Sequence, residues 1–278
     1  MITSASNQQI KQISALTGRA KERSRSGLFI AEGSRMVSET PGSLIRDLYL
    51  SESFSGKSEC AGVMAKLREN GFSGETVLVS DDVFAKMSDT VHPQGICAVV
   101  RQPVYDTEKI LADLTGKEGR CILVLENVQD PGNVGTMLRT AEAAGAAGLF
   151  LSAGCADLFN PKTVRSTMGA IYRVPFVYYE SARELTELLK SRGIKVVAAC
   201  LEGSEEYTKA AIDAPAAVFI GNEGNGLEQE TLSLADVRAR IPMEGETESL
   251  NAAVSAALFL YEVKRRRDAF VTDSTSCD

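Results

Sequence analysis

The 278-residue chain holds a single histidine, His92, and only six cysteines, whose closest pair, Cys97 and Cys121, stands 24 positions apart. With one imidazole and no paired thiols, the sequence predicts no metal site of the usual kind, no zinc knuckle and no dithiol redox centre. Most cysteines lie in apolar stretches such as Gly95-Ile96-Cys97-Ala98-Val99-Val100. There a reduced thiol behaves as a small buried hydrophobe. No apolar run approaches the roughly 18 residues that suggest a membrane span. The polar stretch from Met1 to Lys11 lacks the apolar core of a signal peptide, so the expectation is a soluble, cytoplasmic protein with no membrane partner. Cations are in the minority too, 30 against 37 anions for a net charge of −7. Taken as a sum, that weighs against a nucleic-acid partner.

The distribution of charge qualifies the sum. Residues 202–248 hold 11 acidic and 3 basic side chains, whereas 11–25 hold five basic and one acidic, and 160–173 hold three basic and none acidic. An acidic half can coexist with basic patches that face a polyanion. Arg23 in the first patch and Lys162, Arg165 and Arg173 in the second are candidate RNA contacts, a solvated helix face being the alternative for the second group. His92 reads as a turn residue.

Two textures divide the chain. Residues 1–104 alternate short apolar runs (28–31, 44–50, 77–79, 96–100) with serine-rich stretches. A polar, partly helical connector spans 105–118. From Cys121 onward, strand-like runs at 121–126, 148–152, 174–179, 195–200, 216–221 and 237–242 alternate with helical stretches, including 133–144, 181–192, 226–235 and 249–266. This alternation predicts an α/β domain with a mostly parallel sheet over 119–267. In the last helix, Leu250, Val254, Ala257 and Tyr261 define an apolar stripe, Ser249 is a plausible cap, and Lys264 to Arg267 suit the C-terminal end of the dipole. The remainder, 268–278, reads as a flexible tail.

Three segments at predicted strand ends could carry chemistry, because ligands of open α/β sheets bind outside the carboxyl ends of the strands. The first runs Glu126-Asn127-Val128-Gln129-Asp130-Pro131-Gly132-Asn133-Val134-Gly135, followed by Arg139-Thr140-Ala141. It serves equally as an Asp-Pro-Gly turn with Asn133 as helix cap. Arg139, however, stands less than two turns into the helix, where a guanidinium gains nothing from the dipole and suits a ligand. The second, Ile220-Gly221-Asn222-Glu223-Gly224-Asn225-Gly226, permits close main-chain approach to a ligand. Its G-x-x-G-x-G order is not the dinucleotide fingerprint, which disfavours a nicotinamide enzyme. Glu223 within it is either a helix-start carboxylate or a group that orients another site residue. The third joins Ile241-Pro242-Met243 to Ser249-Leu250-Asn251-Ala252-Ala253-Val254-Ser255.

Taken together, in this order, the three segments resemble the signature motifs of the SpoU (TrmH-like) branch of the SPOUT RNA methyltransferases. Arg165 to Pro175 is similar to a segment that the family carries between them. Phe29-Ile30-Ala31-Glu32-Gly33 and His92-Pro93-Gln94-Gly95-Ile96 are similar to the L30e-like substrate-binding domain that precedes the catalytic domain in longer members. The resemblance implies an α/β SPOUT domain with a deep trefoil knot, a smaller α/β domain over 1–104, a homodimer, and methyl transfer from S-adenosylmethionine to a ribose 2′-hydroxyl in RNA. Ribosomal RNA is the expected substrate. Transfer RNA, or RNA binding without catalysis, are the alternatives.

By position, the resemblance assigns Leu201, Ile220, Gly221, Asn222, Gly224, Gly226, Ile241, Met243 and Leu250 to the cofactor. It assigns Asn133, Arg139, Glu223, Ser249 and Asn251 to the catalytic side. The family's arginine is sometimes described as a general base, but an arginine side chain stays cationic at all accessible pH. Electrostatic stabilisation of a developing alkoxide by Arg139, oriented by Glu223 and Asn133, is the expectation here.

Overall fold

The apolar runs of the first region become strands because each is short, rich in Ile, Val and Leu, and closed by a glycine, serine or proline turn. In a computed structural model, which describes residues 1–115 and 120–275, they are β1 (Leu28–Glu32), β2 (Ile45–Ser51), β3 (Thr76–Val79) and β4 (Ile96–Arg101). The sheet order is β1-β4-β2-β3, antiparallel except for the parallel β2/β3 pair. Helices α1 (Gln8–Gly18), α2 (Ala20–Ser26), α3 (Ser34–Glu39), α4 (Glu52–Ser55), α5 (Ser58–Glu69) and α6 (Asp81–Met87) connect or flank these strands. One core of this unit buries Ile10, Ile13 and Leu16 of α1 with Val83, Phe84 and Met87 of α6 and Tyr49 of β2.

The second unit begins with α7 (Thr107–Thr115) and continues through β5 (Cys121–Leu125), α8 (Pro131–Ala144) and β6 (Gly148–Ser152). After α9 (Pro161–Thr167), discussed below, come β7 (Phe176–Tyr179), α10 (Ala182–Ser191), β8 (Lys195–Ala199), β9 (Glu205–Glu206), β10 (Ala216–Ile220), α11 (Gln229–Leu234), β11 (Val237–Arg240) and α12 (Ala252–Thr275). The described pairs of this sheet are all parallel, in the order β7-β6-β5-β10-β8-β11-β9. Every residue of β5 and β10 is buried, as a strand covered on both faces requires. The strand order reverses around this central pair, so the crevice for a ligand falls at the carboxyl ends of β5, β10, β8 and β11.

Three findings depart from the sequence expectations. First, the chain divides as Met1–Val104 with Asp157–Tyr172 and Tyr105–Ala156 with Arg173–Asp278, so the stretch carrying α9 leaves the 119–267 range and packs in the first unit. Phe159 stacks on Phe29 at 5.0 Å between ring centroids, and the Thr40 hydroxyl lies 2.9 Å from that of Tyr172. Arg23, expected to face RNA, is 3% exposed and pairs with Asp157 at 2.6 Å. Its guanidinium also donates to the carbonyls of Leu16 and Thr17. Removing one partner of a buried pair strands the other charge, so Arg23→Ala is expected to lower unfolding free energy by about 3 kcal/mol, measured by urea denaturation. A loss within experimental error would mean that Asp157 is rehydrated at no cost.

Second, the connector expected at 105–118 is helical in part, as expected, but belongs to the second unit. Ile110, Leu111 and Leu114 of α7 sit in the second unit's core beside Ile122, Val124 and Phe219. Residues 116–119 lie outside the described ones.

Third, α12 starts later and runs further than expected, reaching Thr275, so the expected tail is largely helix. Asn251, not Ser249, caps it, accepting from the N–H groups of Ala253 at 2.9 Å and Val254 at 3.3 Å. Lys264 to Arg267 therefore stand inside the helix, where Glu262 binds Arg265 and Arg266, and Asp268 binds Lys264 and Arg267. The buried face is Ala252, Ala253, Ala256, Phe259, Leu260 and Val263, whereas Val254 and Tyr261 of the expected stripe are 48% and 49% exposed. A spacing of three and four marks a face without saying what covers it. The alanine-rich face is the one that lets α12 approach α8 and β10 closely.

Candidate functional site

The site is built from turns at the carboxyl ends of four parallel strands. After β5, the Asp130 carboxylate accepts from the Asn133 N–H at 2.8 Å and Pro131 occupies the first turn, so Asp130 rather than Asn133 caps α8. This frees the Asn133 side chain. Its amide donates to Glu223 Oε1 at 2.8 Å, and its carbonyl accepts from Asn251 Nδ2 at 3.0 Å. One chain of hydrogen bonds thus joins the start of α12, the start of α8 and the loop after β10. The three residues come from segments far apart in sequence.

That loop, Gly221–Leu227, is closed on itself. Asn222 and Gly226 exchange backbone hydrogen bonds at 3.0 and 2.9 Å. The Asn222 carbonyl oxygen of the side chain accepts from the N–H groups of Gly224 and Asn225, and its amide donates to the Asn127 carbonyl at 2.9 Å. Asn222, expected at the cofactor, therefore spends its side chain shaping the loop. A Cβ on Gly221 would fall 2.2 Å from the Gly226 carbonyl carbon, so only glycine permits this closure.

A cavity of about 440 Å³ opens between the loops. All nine residues assigned to the cofactor line it: Leu201, Ile220, Gly221, Asn222, Gly224, Gly226, Ile241, Met243 and Leu250. Glu223 and Ser249 line it too. Sequence reasoning missed Cys200, Glu202, Arg240, Ser255 and Phe259 on the same wall. The first three adjoin the ends of β8 and β11, which was an available signal. Burial raises the Cys200 thiol above its ordinary pKa, making it a neutral wall. The volume suits a small-molecule cofactor, the apolar side chains suit a flat ring, and the glycine main chain offers hydrogen bonds at close range. The carboxylates of Glu202, Glu223 and Glu248 favour a cationic ligand.

Arg139 stands apart from this lining. It is exposed on α8, with Thr136 and Ala143 on the same side of the helix. Among the described residues its guanidinium has no hydrogen bond and no ion pair, so the expected orientation by Glu223 and Asn133 is absent here. Glu223 holds Asn133 instead.

The RNA candidates divide between the two units. Arg23 is buried as described. Arg165 binds Asp89 at 2.9 Å in the first unit, Lys162 is exposed on α9 there, and Arg173 binds Glu142 in the second unit. The stretch 160–173 lacks acids, but folding supplies them from elsewhere. His92 is exposed on the loop before β4.

Comparison with known proteins covers nearly all of the chain. Residues 120–261 match the SpoU rRNA Methylase family and residues 7–98 the MRM3-like substrate binding domain. The 23S rRNA (guanosine(2553)-2′-O)-methyltransferase RlmP of Bacillus subtilis is 34% identical over 95% of this chain and 98% of its own length. The 23S rRNA (uridine(2479)-2′-O)-methyltransferase of Streptomyces viridochromogenes is 29% identical over 97% of this chain and 93% of its own. An AdoMet-bound rRNA methyltransferase from Sinorhizobium meliloti superposes with a TM-score of 0.80 at 32% identity, covering 95% of this chain and 97% of that one.

Proposed function

Since the chain belongs to the SpoU rRNA methylase family, we propose that it methylates a ribose 2′-hydroxyl of ribosomal RNA, with S-adenosylmethionine as donor. The observation that carries this reading is the 440 Å³ cavity, onto which all nine residues assigned to the cofactor converge. S-adenosylmethionine, when bound, supplies an activated methyl group on a sulfonium, and in-line transfer of it needs no metal. No His, Cys, Asp and Glu cluster fit for a metal occurs among the described residues.

The chain's own residues do the rest. Leu201, Ile241, Met243 and Leu250 enclose the apolar part of the donor, while the main chain of Gly221–Leu227 meets its polar edge. Asn133, Glu223 and Asn251 brace the loop and both helix starts so that the donor and the ribose oxygen align. Arg139, exposed to solvent, offers a permanent positive charge to the oxygen as its proton passes to solvent water and the methyl leaves the sulfonium, and positions the target phosphate. Its lack of a partner among the described residues supports a guanidinium reserved for substrate. Ser249 faces the cavity without a hydrogen-bond partner among the described residues and is open to the substrate.

The first unit binds the RNA in this reading. The finer features belong to it as well: a trefoil knot formed by the loops after β10 and β11, a homodimer, and a cytoplasmic location. The strand order supports the knot, because β10 inserts between β5 and β8 while α12 returns from β11 to pack on β5, β10 and α8. The homodimer is supported by Val254 and Tyr261, apolar side chains left 48% and 49% exposed on α12. Val254→Asp and Tyr261→Asp are therefore expected to sediment as monomers of 29.8 kDa in analytical ultracentrifugation. Persistence of the dimer in both variants would move the interface elsewhere.

The reading is tested by mapping 2′-O-methyl groups in ribosomal and transfer RNA from strains with and without the gene, alongside calorimetry with S-adenosylmethionine and NAD. A ribosomal site that disappears supports it. A lost transfer-RNA site would give the alternative substrate, and no lost site would sink the assignment to cellular RNA.

A further inference from the structure

Glu126, the residue after β5, is 3% exposed, yet among the described residues its carboxylate has no ion pair. Its partners are two donors. Oε2 accepts the Glu228 N–H at 2.7 Å, and Oε1 accepts the Thr231 hydroxyl at 2.5 Å. The Glu126 N–H in turn donates to the Ile220 carbonyl at 2.9 Å. Ile220 immediately precedes the loop Gly221–Leu227 and Glu228 immediately follows it, so one residue fastens both ends of the loop that lines the cavity.

The next residue strengthens the grip. Asn127, held at a φ of 55°, donates from its side-chain amide to Glu228 Oε1 at 2.8 Å, and its carbonyl accepts the Asn222 amide. Neither Glu126 nor Thr231 lines the cavity. Burying a carboxylate without a cation is unfavourable, and a neutral side chain would hold a purely structural turn more cheaply. Burial also pushes the Glu126 pKa up, with Glu228 and Glu230 adding to the rise and the two hydrogen bonds opposing it. The compensation is that hydrogen bonds to a charged acceptor are short, directional and strong. Such bonds keep a glycine-rich segment, which would otherwise sample many conformations, in one ligand-ready shape.

We propose that Glu126 is a positioning residue for the cofactor loop: its carboxylate preorganises Gly221–Leu227 and thereby sets affinity for the methyl donor, not the rate of methyl transfer. The proposal rests on the reading that the 440 Å³ cavity holds S-adenosylmethionine.

The full-length protein and its Glu126→Ala, Glu126→Gln and Thr231→Val variants are compared by calorimetry with S-adenosylmethionine. Transfer rates at saturating donor are measured on ribosomal RNA from a strain lacking the gene. Glu126→Ala is expected to weaken donor binding by about tenfold or more, the size of a lost hydrogen bond to a charged group, with its saturated rate within about twofold of wild type. Glu126→Gln keeps an acceptor for the Glu228 N–H and can donate to the Thr231 hydroxyl but loses the charge, so its affinity should fall between those of Glu126→Ala and the wild type. Native affinity in Glu126→Ala, or a fallen saturated rate with unchanged affinity, overturns the proposal. If Glu126→Ala fails to fold by circular dichroism, Thr231→Val decides. It deletes one bond and retains the charge, so about threefold weaker binding supports the role and native binding overturns it. Failure of the wild-type protein to bind S-adenosylmethionine would instead sink the functional reading itself.

Discussion

Arg139→Ala abolishes methyl transfer, with an expected loss of about a thousandfold, while affinity for S-adenosylmethionine stays within about twofold of wild type. The separation follows from where the side chain stands. Arg139 is exposed on α8, has no polar partner among the described residues, and is absent from the wall of the cofactor cavity. Its removal leaves that cavity intact but takes away the positive charge available to a ribose oxygen that becomes anionic during transfer. Arg139→Lys is expected to recover only a small part of the rate, because a point charge on a flexible stem lacks the planar fork of the guanidinium. Single-turnover rates paired with calorimetric affinities distinguish the outcomes. Parallel loss of both quantities would make Arg139 a cofactor ligand.

Gly221→Ala should do the reverse and remove donor binding, by about a hundredfold, through a steric rather than an electrostatic cause. The added Cβ would lie 2.2 and 2.3 Å from the Gly226 carbonyl carbon and oxygen and 2.4 Å from the Leu227 nitrogen. All three are backbone atoms, so no side chain can swing aside. The paired hydrogen bonds between Asn222 and Gly226 must break, and with them the inner face of the loop. Gly226→Ala is the control. Gly226 has a φ of 69° but open space around its Cβ position, so alanine there meets only the left-handed backbone penalty of about 1 to 2 kcal/mol. If calorimetry finds Gly226→Ala as damaging as Gly221→Ala, close backbone approach is not what the first glycine provides.

The site was legible where its chemistry is local. Strand ends, an Asp-Pro-Gly turn and glycine spacing lie within a few residues of one another, and the residues that the family resemblance assigned to the cofactor fall around one cavity. Capping was less legible, because Asp130 and Asn133, or Ser249 and Asn251, are chemically alike as caps and stand within one turn. The choice between them frees Asn133 for Glu223 and Asn251. Glu126 escaped notice for a similar reason. Nothing in Leu125-Glu126-Asn127 marks a carboxylate that will be buried against a backbone N–H more than a hundred positions later, at Glu228.

The kinship of the chain rests on the resemblance of its motifs. The alternation of strands and helices from Cys121 onward and the three loops at the strand ends follow from periodicity and turn chemistry, which act over a few residues and survive in any tertiary setting. The allegiance of Asp157–Tyr172 to the first unit, the burial of Arg23 and the identity of the covered face of α12 do not. Arg23 meets Asp157 across 134 positions, and the two apolar faces of α12 read alike until α8 and β10 cover one of them. Periodicity records that a face is apolar, a one-body property. What covers it is a pairwise fact about distant parts of the chain, decided by close packing.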